Sequence, residues 1–355
     1  MGIKLAVAAT TDMGKVRTNN EDAYVVADLN RGEPVNVDKK AADFDVVERG
    51  VLMAVSDGMG GEQAGEVASA LVVETLRKAM AESAPESEEG KAAITRAIES
   101  AVTKANEEVF AAAKDPGKRG MGATLTAVYI HGDTAYIAEI GDSRAYLIRG
   151  RRVRQMTKDQ SFVQLLLDSG AISEEEAKNY PHKNIILQAI GQQKNLATAV
   201  GKLELRRGDR LILCSDGLSN KVTPEEMREV VCDATSLNNA CVKLVALANE
   251  RGGDDNSTVV LAQLTGDDLR PHRDEESVTQ TFEVVKAGPN ADVTSEPPPP
   301  AEAQAAEPQT PPPGHISGPP SPQDEADLKS RPLQMLVAVV MMLVMLGVFY
   351  VLFKS

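Results

Sequence analysis

Val51-Leu52-Met53-Ala54-Val55-Ser56-Asp57-Gly58-Met59-Gly60-Gly61 is the stretch of this chain on which the fold turns. Its apolar run reads as a buried strand. The strand ends in a carboxylate, and the glycines after it let the backbone turn sharply. The same grammar returns at Ile140-Gly141-Asp142-Ser143, at Leu213-Cys214-Ser215-Asp216-Gly217 and at Gly252-Gly253-Asp254-Asp255-Asn256-Ser257. A polar version, Asn19-Asn20-Glu21-Asp22, lies near the start. One aspartate at a strand end is ordinary, but this repetition points to a shared purpose. Oxygen ligands gathered in this way hold hard cations such as Mg²⁺ or Mn²⁺.

The elements around these clusters define the fold class. Strand-like runs fall at 3–9, 23–27, 51–56, 123–130, 134–140, 144–148, 197–205, 210–214 and 258–264, several joined by Gly-containing hairpin signals. Helical patterns fall in pairs, at 62–81 with 91–113 and at 224–233 with 237–250. Strands in runs and helices in pairs exclude βαβ alternation. The expected fold is α+β, a four-layer α-β-β-α sandwich of two antiparallel sheets flanked by helix pairs, over residues 1–266.

Composition narrows the chemistry. The 355 residues are 42% hydrophobic, enough for a full core with length to spare. A formal charge of −14 argues against a nucleic-acid surface, which needs a basic stripe. Three cysteines, Cys214, Cys232 and Cys241, lack CxxC spacing and fit a reducing cytoplasm, with Cys214 a small apolar core residue. None of the four histidines, His131, His182, His272 and His315, adjoins an aspartate cluster. That argues against Ser-His-Asp, Cys-His and zinc sites and places the histidines at the surface or in loops.

Residues 267–331 are rich in Pro, Glu and Ala, with proline runs at 297–300 and 311–313. Such a segment cannot bury enough surface to order itself and reads as a disordered spacer, with a proline-recognition ligand as the alternative. As a flexible coil it spans roughly 45 Å. The 21 residues 333–353 carry no charge and are long enough for a transmembrane helix, here bounded as 332–353. Lys329 and Arg331 before it and a chain start that reads as a first strand lead to the expectation that the globular part lies in the cytoplasm, tethered to the inner membrane.

Two oxygen-ligated ions 3.5–4 Å apart share a water, lower its pKa and present it to phosphorus. A cation must also hold the phosphate, and Arg17, four residues before Glu21, offers a guanidinium fork. The ordered set Arg17…Glu21-Asp22, Asp57-Gly58-Met59-Gly60-Gly61, Gly122-Ala123-Thr124, Gly141-Asp142-Ser143-Arg144, Thr157-Lys158-Asp159-Gln160-Ser161, Ser215-Asp216-Gly217 and Gly253-Asp254-Asp255-Asn256 resembles the metal-dependent protein serine/threonine phosphatases of the PPM, or type 2C, family in their bacterial form. The likeness covers about residues 5–265.

The resemblance implies roles residue by residue. Asp57 would bridge two Mn²⁺ or Mg²⁺ ions and Gly58 would offer its carbonyl. Glu21 would ligate the second ion directly, with Asp22 holding a water on it. Asp216 and Asp255 would ligate the first ion, and Asp142 with Asp216 would form a third position. Arg17 would bind substrate phosphate. Asn256 would shape the last turn, Ser143 and Arg144 would be structural, and 165–188 would be the flap that affects substrate choice. Expected partners are phosphorylated proteins, including Ser/Thr kinases and their substrates, met by a monomeric catalytic domain. Three positions depart from the family pattern, since Met59, Glu62 and Gln160 stand where relatives carry histidine. The leaving oxygen would then take its proton from metal-bound water, with Glu62 as the rival donor. A non-catalytic phosphoprotein scaffold should have lost carboxylates, and none is missing. A two-metal nuclease is disfavoured by the acidic balance.

Overall fold

The computed structural model describes residues 2–60, 64–84, 91–178, 180–181, 185–272 and 280–286. In chain order its strands are β1 (Lys4–Asp12), β2 (Asp22–Asp28), β3 (Ala42–Asp45), β4 (Val51–Met59), β5 (Gly122–Ala123), β6 (Leu125–His131), β7 (Thr134–Ile140), β8 (Arg144–Arg149), β9 (Arg152–Gln155), β10 (Ala197–Glu204), β11 (Arg210–Cys214), β12 (Ser257–Thr265) and β13 (Gln280–Lys286). The helices are α1 (Ala64–Ser83), α2 (Lys91–Ala112), α3 (Phe162–Asp168), α4 (Glu174–Lys178), α5 (Asp216–Ser219), α6 (Pro224–Asp233) and α7 (Leu237–Glu250). One sheet runs β3-β1-β12-β11-β8-β9 and the other β13-β10-β7-β6-β4-β2, with β5 paired to the end of β4. Every named pairing is antiparallel.

The apolar runs are continuous because the central strands are covered on both faces. In β4, Leu52 and Ala54 pack with the α1 and α2 side chains, whereas Val51, Met53 and Val55 face the opposite sheet. In β11, Leu211 and Leu213 face between the sheets, and Ile212 and Cys214 meet residues of α6 and α7. The alternation of a half-exposed strand is therefore absent, and the result is the expected helix–sheet–sheet–helix stack. Each buried Val, Leu, Ile or Met among them contributes about 1.5–3 kcal/mol. Helix starts are equally local in origin. Thr223 and Glu226 form a reciprocal capping box around Pro224, and Ser236 caps α7.

Several boundaries differ from the expectation. The packed unit continues past 266, since Leu269 is buried with the inter-sheet core and Arg207 bridges to Pro271. Within the segment expected to be a spacer, β13 adds an edge strand to β10, with Lys286 opposite Ala197. Gln-Thr-Phe-Glu-Val-Val-Lys is rich in strand formers, a local signal drowned by the proline-rich average around it. The short strands β3, β5 and β9 were too brief to show a period. The proline runs and the apolar segment 333–353 lie outside the described residues, and among those residues no helix is long and apolar enough to cross a membrane. Cys214 is fully buried as expected. His131 and His272 are half-exposed, and His182 and His315 lie outside the described residues.

Candidate metal centre and active site

Strand register carries the acids to one place. Across β2 and β4, Asp22 lies opposite Asp57. Across β1 and β12, Asp12 lies opposite Ser257, which sets the loop after β1 beside the turn before β12. Asn256 ties these two together. Its Nδ2 donates to the carbonyls of Met13 and Asn19 at 2.9 Å, and its Oδ1 accepts the Glu21 N–H at 2.8 Å. The loops approach so closely that a Cβ on Gly14, at φ +81°, would lie 2.4 Å from the Asp255 carbonyl oxygen. Asp216 opens α5 directly after β11, and Asp142 follows Gly141 in the turn between β7 and β8.

These elements surround a cleft of about 560 Å³ whose lining includes Arg17, Glu21, Asp57, Asp142, Asp216 and Asp255. Asp22 lies just beneath, buried, with Oδ2 accepting from the Ser215 hydroxyl at 2.7 Å. Its Oδ1 and Asp216 Oδ1 are buried without any hydrogen-bond donor. Burial raises the Asp57 carboxyl well above the usual carboxylate range, and the charges of Asp22, Asp216, Asp142 and Asp255 add to the shift. Burial pushes Asp22 up to about 7, against the lowering hydrogen bond from Ser215. It pushes Asp142 up to about 7 as well, with help from the Asp216 charge. Asp216 is raised first by burial and then by Asp255.

Buried acids of one sign, two of them with an oxygen lacking a donor, are a donor set for a hard cation, whose charge reverses this balance. The residues present therefore fit Mn²⁺ or Mg²⁺. Among the described residues no three acid, histidine or cysteine side chains form a finished shell for a single ion. Hard-ion pairs need no such shell, because they spread a few carboxylates over two centres and keep several waters. Asp22, Asp57, Asp142, Asp216 and Asp255 lie close enough for their charges to act on one another.

Arg17 Nη2 donates to Asp255 Oδ2 at 2.9 Å, so the guanidinium is held over the acids while its remaining N–H groups stay available. Met59 lines the cleft, and its Sδ accepts from Gln192 Nε2 at 3.3 Å. Glu62 lies outside the described residues. Gln160 is a fastener between the Asp142 turn and the flap. Its Oε1 accepts from Gly141 N–H and from Gln188 Nε2, each at 3.1 Å, and its carbonyl accepts the Leu187 N–H at 2.7 Å. The flap consists of α3, α4 and the extended segment 185–188, with an isolated bridge between Ser161 and Ile186. Arg144 makes a bidentate pair with Asp159, the shortest contact 2.6 Å, which fixes the loop before the flap.

The motif reading assigned no work to two hydroxyls that position the acids. Thr124 Oγ1 accepts the Asp57 N–H at 2.9 Å and meets Ser143 Oγ at 2.7 Å. Ser215 both donates to Asp22 and accepts the Thr258 N–H at 3.0 Å. Each sits inside a quoted motif, Thr124 after Gly122-Ala123 and Ser215 before Asp216, and only their cross-strand reach separates them from ordinary turn residues.

Known proteins share this arrangement. The description Protein phosphatase 2C matches residues 30–249. The serine/threonine phosphatase stp of Listeria innocua is 36% identical over 256 residues, which cover 71% of this chain and 93% of that protein. Protein phosphatase PhpP of Streptococcus pneumoniae is 35% identical over 265 residues, 74% of this chain and 99% of that one. The solved catalytic domain of Mycobacterium tuberculosis PstP, in complex with two manganese ions, is 35% identical with a TM-score of 0.59, covering 74% of this chain and all of that one. A Streptococcus agalactiae serine/threonine phosphatase aligns with a TM-score of 0.63 at 31% identity, covering 73% of this chain and 98% of that one. With this fold and this ring of acids, the chain belongs to the protein phosphatase 2C family, the metal-dependent serine/threonine protein phosphatases.

Proposed function

We propose that this protein hydrolyses phosphoserine and phosphothreonine esters in proteins with Mn²⁺ or Mg²⁺, and opposes Ser/Thr kinases at a membrane. The observation that carries the reading is the pair of donorless buried oxygens, on Asp22 and Asp216, beneath a cleft that also holds Arg17. When bound, paired ions neutralise phosphate charge and lower the pKa of water between them. Asp57 would be shared between the ions, Gly58 would add its carbonyl, and Asp216 and Asp255 would hold one of them. Glu21 would hold the other ion, with Asp22 supporting it through water, and Asp142 with Asp216 would supply a third position. Arg17 orients the phosphate oxygens, steadied by Asp255. Met59 has no proton to give, so the departing serine or threonine oxygen is protonated by water in the cleft.

The apolar segment 332–353 is the membrane tether in this reading, and the proline-rich segment before it lets the catalytic unit reach phosphoproteins on the cytoplasmic face. The test uses the full chain with a phosphothreonine peptide, with Mn²⁺ or with EDTA. Turnover should need the ion, and calorimetry should show Mn²⁺ binding that Asp57→Asn weakens. Turnover that persists in EDTA would refute the mechanism. Phosphopeptide binding without turnover in Mn²⁺ would favour the scaffold alternative. Release of the full chain from membranes by alkaline carbonate would remove the tether.

A further inference from the structure

The rim of the cleft is apolar although its floor is acidic. Among the described residues, five of the eight exposed large apolar side chains, Met13, Val16, Leu165, Ile185 and Leu187, belong to the two segments that flank the cleft, and the others, Val47, Val67 and Val242, lie elsewhere. Val16 is 65% exposed and immediately precedes Arg17. From the flap, Ile186 lines the same cleft on an extended edge that the bridge to Ser161 holds in place. Ile185 and Leu187, on either side of Ile186, extend the apolar surface outward. Val16 and Ile186 both line the same cleft as Arg17. Single exposed apolar residues need no explanation, but a group at the mouth of one cleft marks a recognition surface. The acids outnumber the cations nearby: Glu21 and Asp142 lie in the cleft with Arg17, and Glu174, Glu175 and Glu176 open α4 on the flap against Lys178 at its end and Lys158, which pairs with Asp168.

Resting on the phosphatase reading above, we propose that the preferred substrates carry large apolar side chains next to the phosphoserine or phosphothreonine. With phosphate held at Arg17, the neighbouring residues of an extended peptide pass over Val16 on one rim and Ile186 on the other. Large apolar neighbours bury these side chains, and acidic neighbours are disfavoured by the three carboxylates that open α4. The surface is continuous with the phosphate site, so its occupant is the same peptide that delivers the phosphate.

The experiment compares three phosphothreonine peptides on the full chain with Mn²⁺, flanked by Leu and Val, by Ala, or by Glu, together with p-nitrophenyl phosphate. The apolar-flanked peptide should exceed the alanine-flanked one in kcat/KM by about tenfold, what burying one such side chain is worth. The glutamate-flanked peptide should be the poorest. Val16→Ser combined with Ile186→Ser should erase the apolar advantage through KM, while Val242→Ser, an exposed site on α7, should preserve it. Equal kcat/KM for apolar and alanine flanks, or an advantage that survives the double substitution, would overturn the inference and leave the phosphatase reading standing. Fluorescence anisotropy with the same peptides reads the rim without turnover, and equal affinities there would overturn it as well. Failure to hydrolyse any peptide or the small ester would instead strike the phosphatase reading.

Discussion

Glu139 is a buried carboxyl with no assigned part in the chemistry, and its removal should stabilise the protein. It lies in β7, accepts the Lys158 N–H at 2.9 Å, and burial pushes it from 4.5 up to about 8. A carboxyl raised on folding holds a proton that the unfolded chain has released. Stability from this group therefore falls as pH climbs from about 4.5 to about 8. At pH 7 the shift corresponds to at most about 3 kcal/mol, at 1.36 kcal/mol per unit. Relaxation of the 157–160 loop lowers the expected effect to about 1–3 kcal/mol. Glu139→Gln keeps the acceptor for Lys158 and removes the titration. In EDTA, the variant should melt close to the parent at pH 4.5 and above it at pH 8, by several degrees. Equal pH slopes for the two proteins, measured by thermal and urea unfolding, would refute the electrostatic reasoning.

Gly58→Ala should cost about 3 kcal/mol and unsettle Glu21, because a Cβ there would lie 2.0 Å from the Gly65 carbonyl oxygen and 2.8 Å from that of Glu21. Denaturant unfolding reads the first effect and Mn²⁺ calorimetry the second. Gln160→Ala removes the acceptor of the Gly141 N–H and the contact to Gln188. Hydrogen exchange should speed at Gly141, and KM for phosphopeptides should rise several-fold. Unchanged exchange would show that the flap is fastened elsewhere. Arg17→Lys keeps a charge near Asp255 but loses the fork, and should raise KM for phosphate esters by about tenfold with little change in melting temperature. An unaltered KM would remove Arg17 from phosphate binding.

Much of this protein was legible in its chain order. The strand-end grammar of Asp57-Gly58, Asp142, Asp216 and Asp255 marked the acids, and paired helical patterns between runs of strands implied the layered sandwich. Those features are local, because a period or a turn signal needs only neighbours in sequence. The ends were harder. A short edge strand at Gln280–Lys286 carries too few residues to stand out from proline-rich surroundings, and the continuation of the core past 266 rests on one lone apolar side chain, Leu269. What tertiary structure alone decided is which groups meet. Asp22 faces Asp57 through strand register, Ser215 reaches Asp22 across 193 positions, and Asn256 stitches the loop carrying Arg17 to the turn carrying Asp255. The Gln160 fastener and the apolar rim of Val16 and Ile186 belong to the same class. Sequence specifies each side chain's chemistry and its local backbone. Burial, charge coupling and hydrogen-bond partners arise only when distant strands are brought into register.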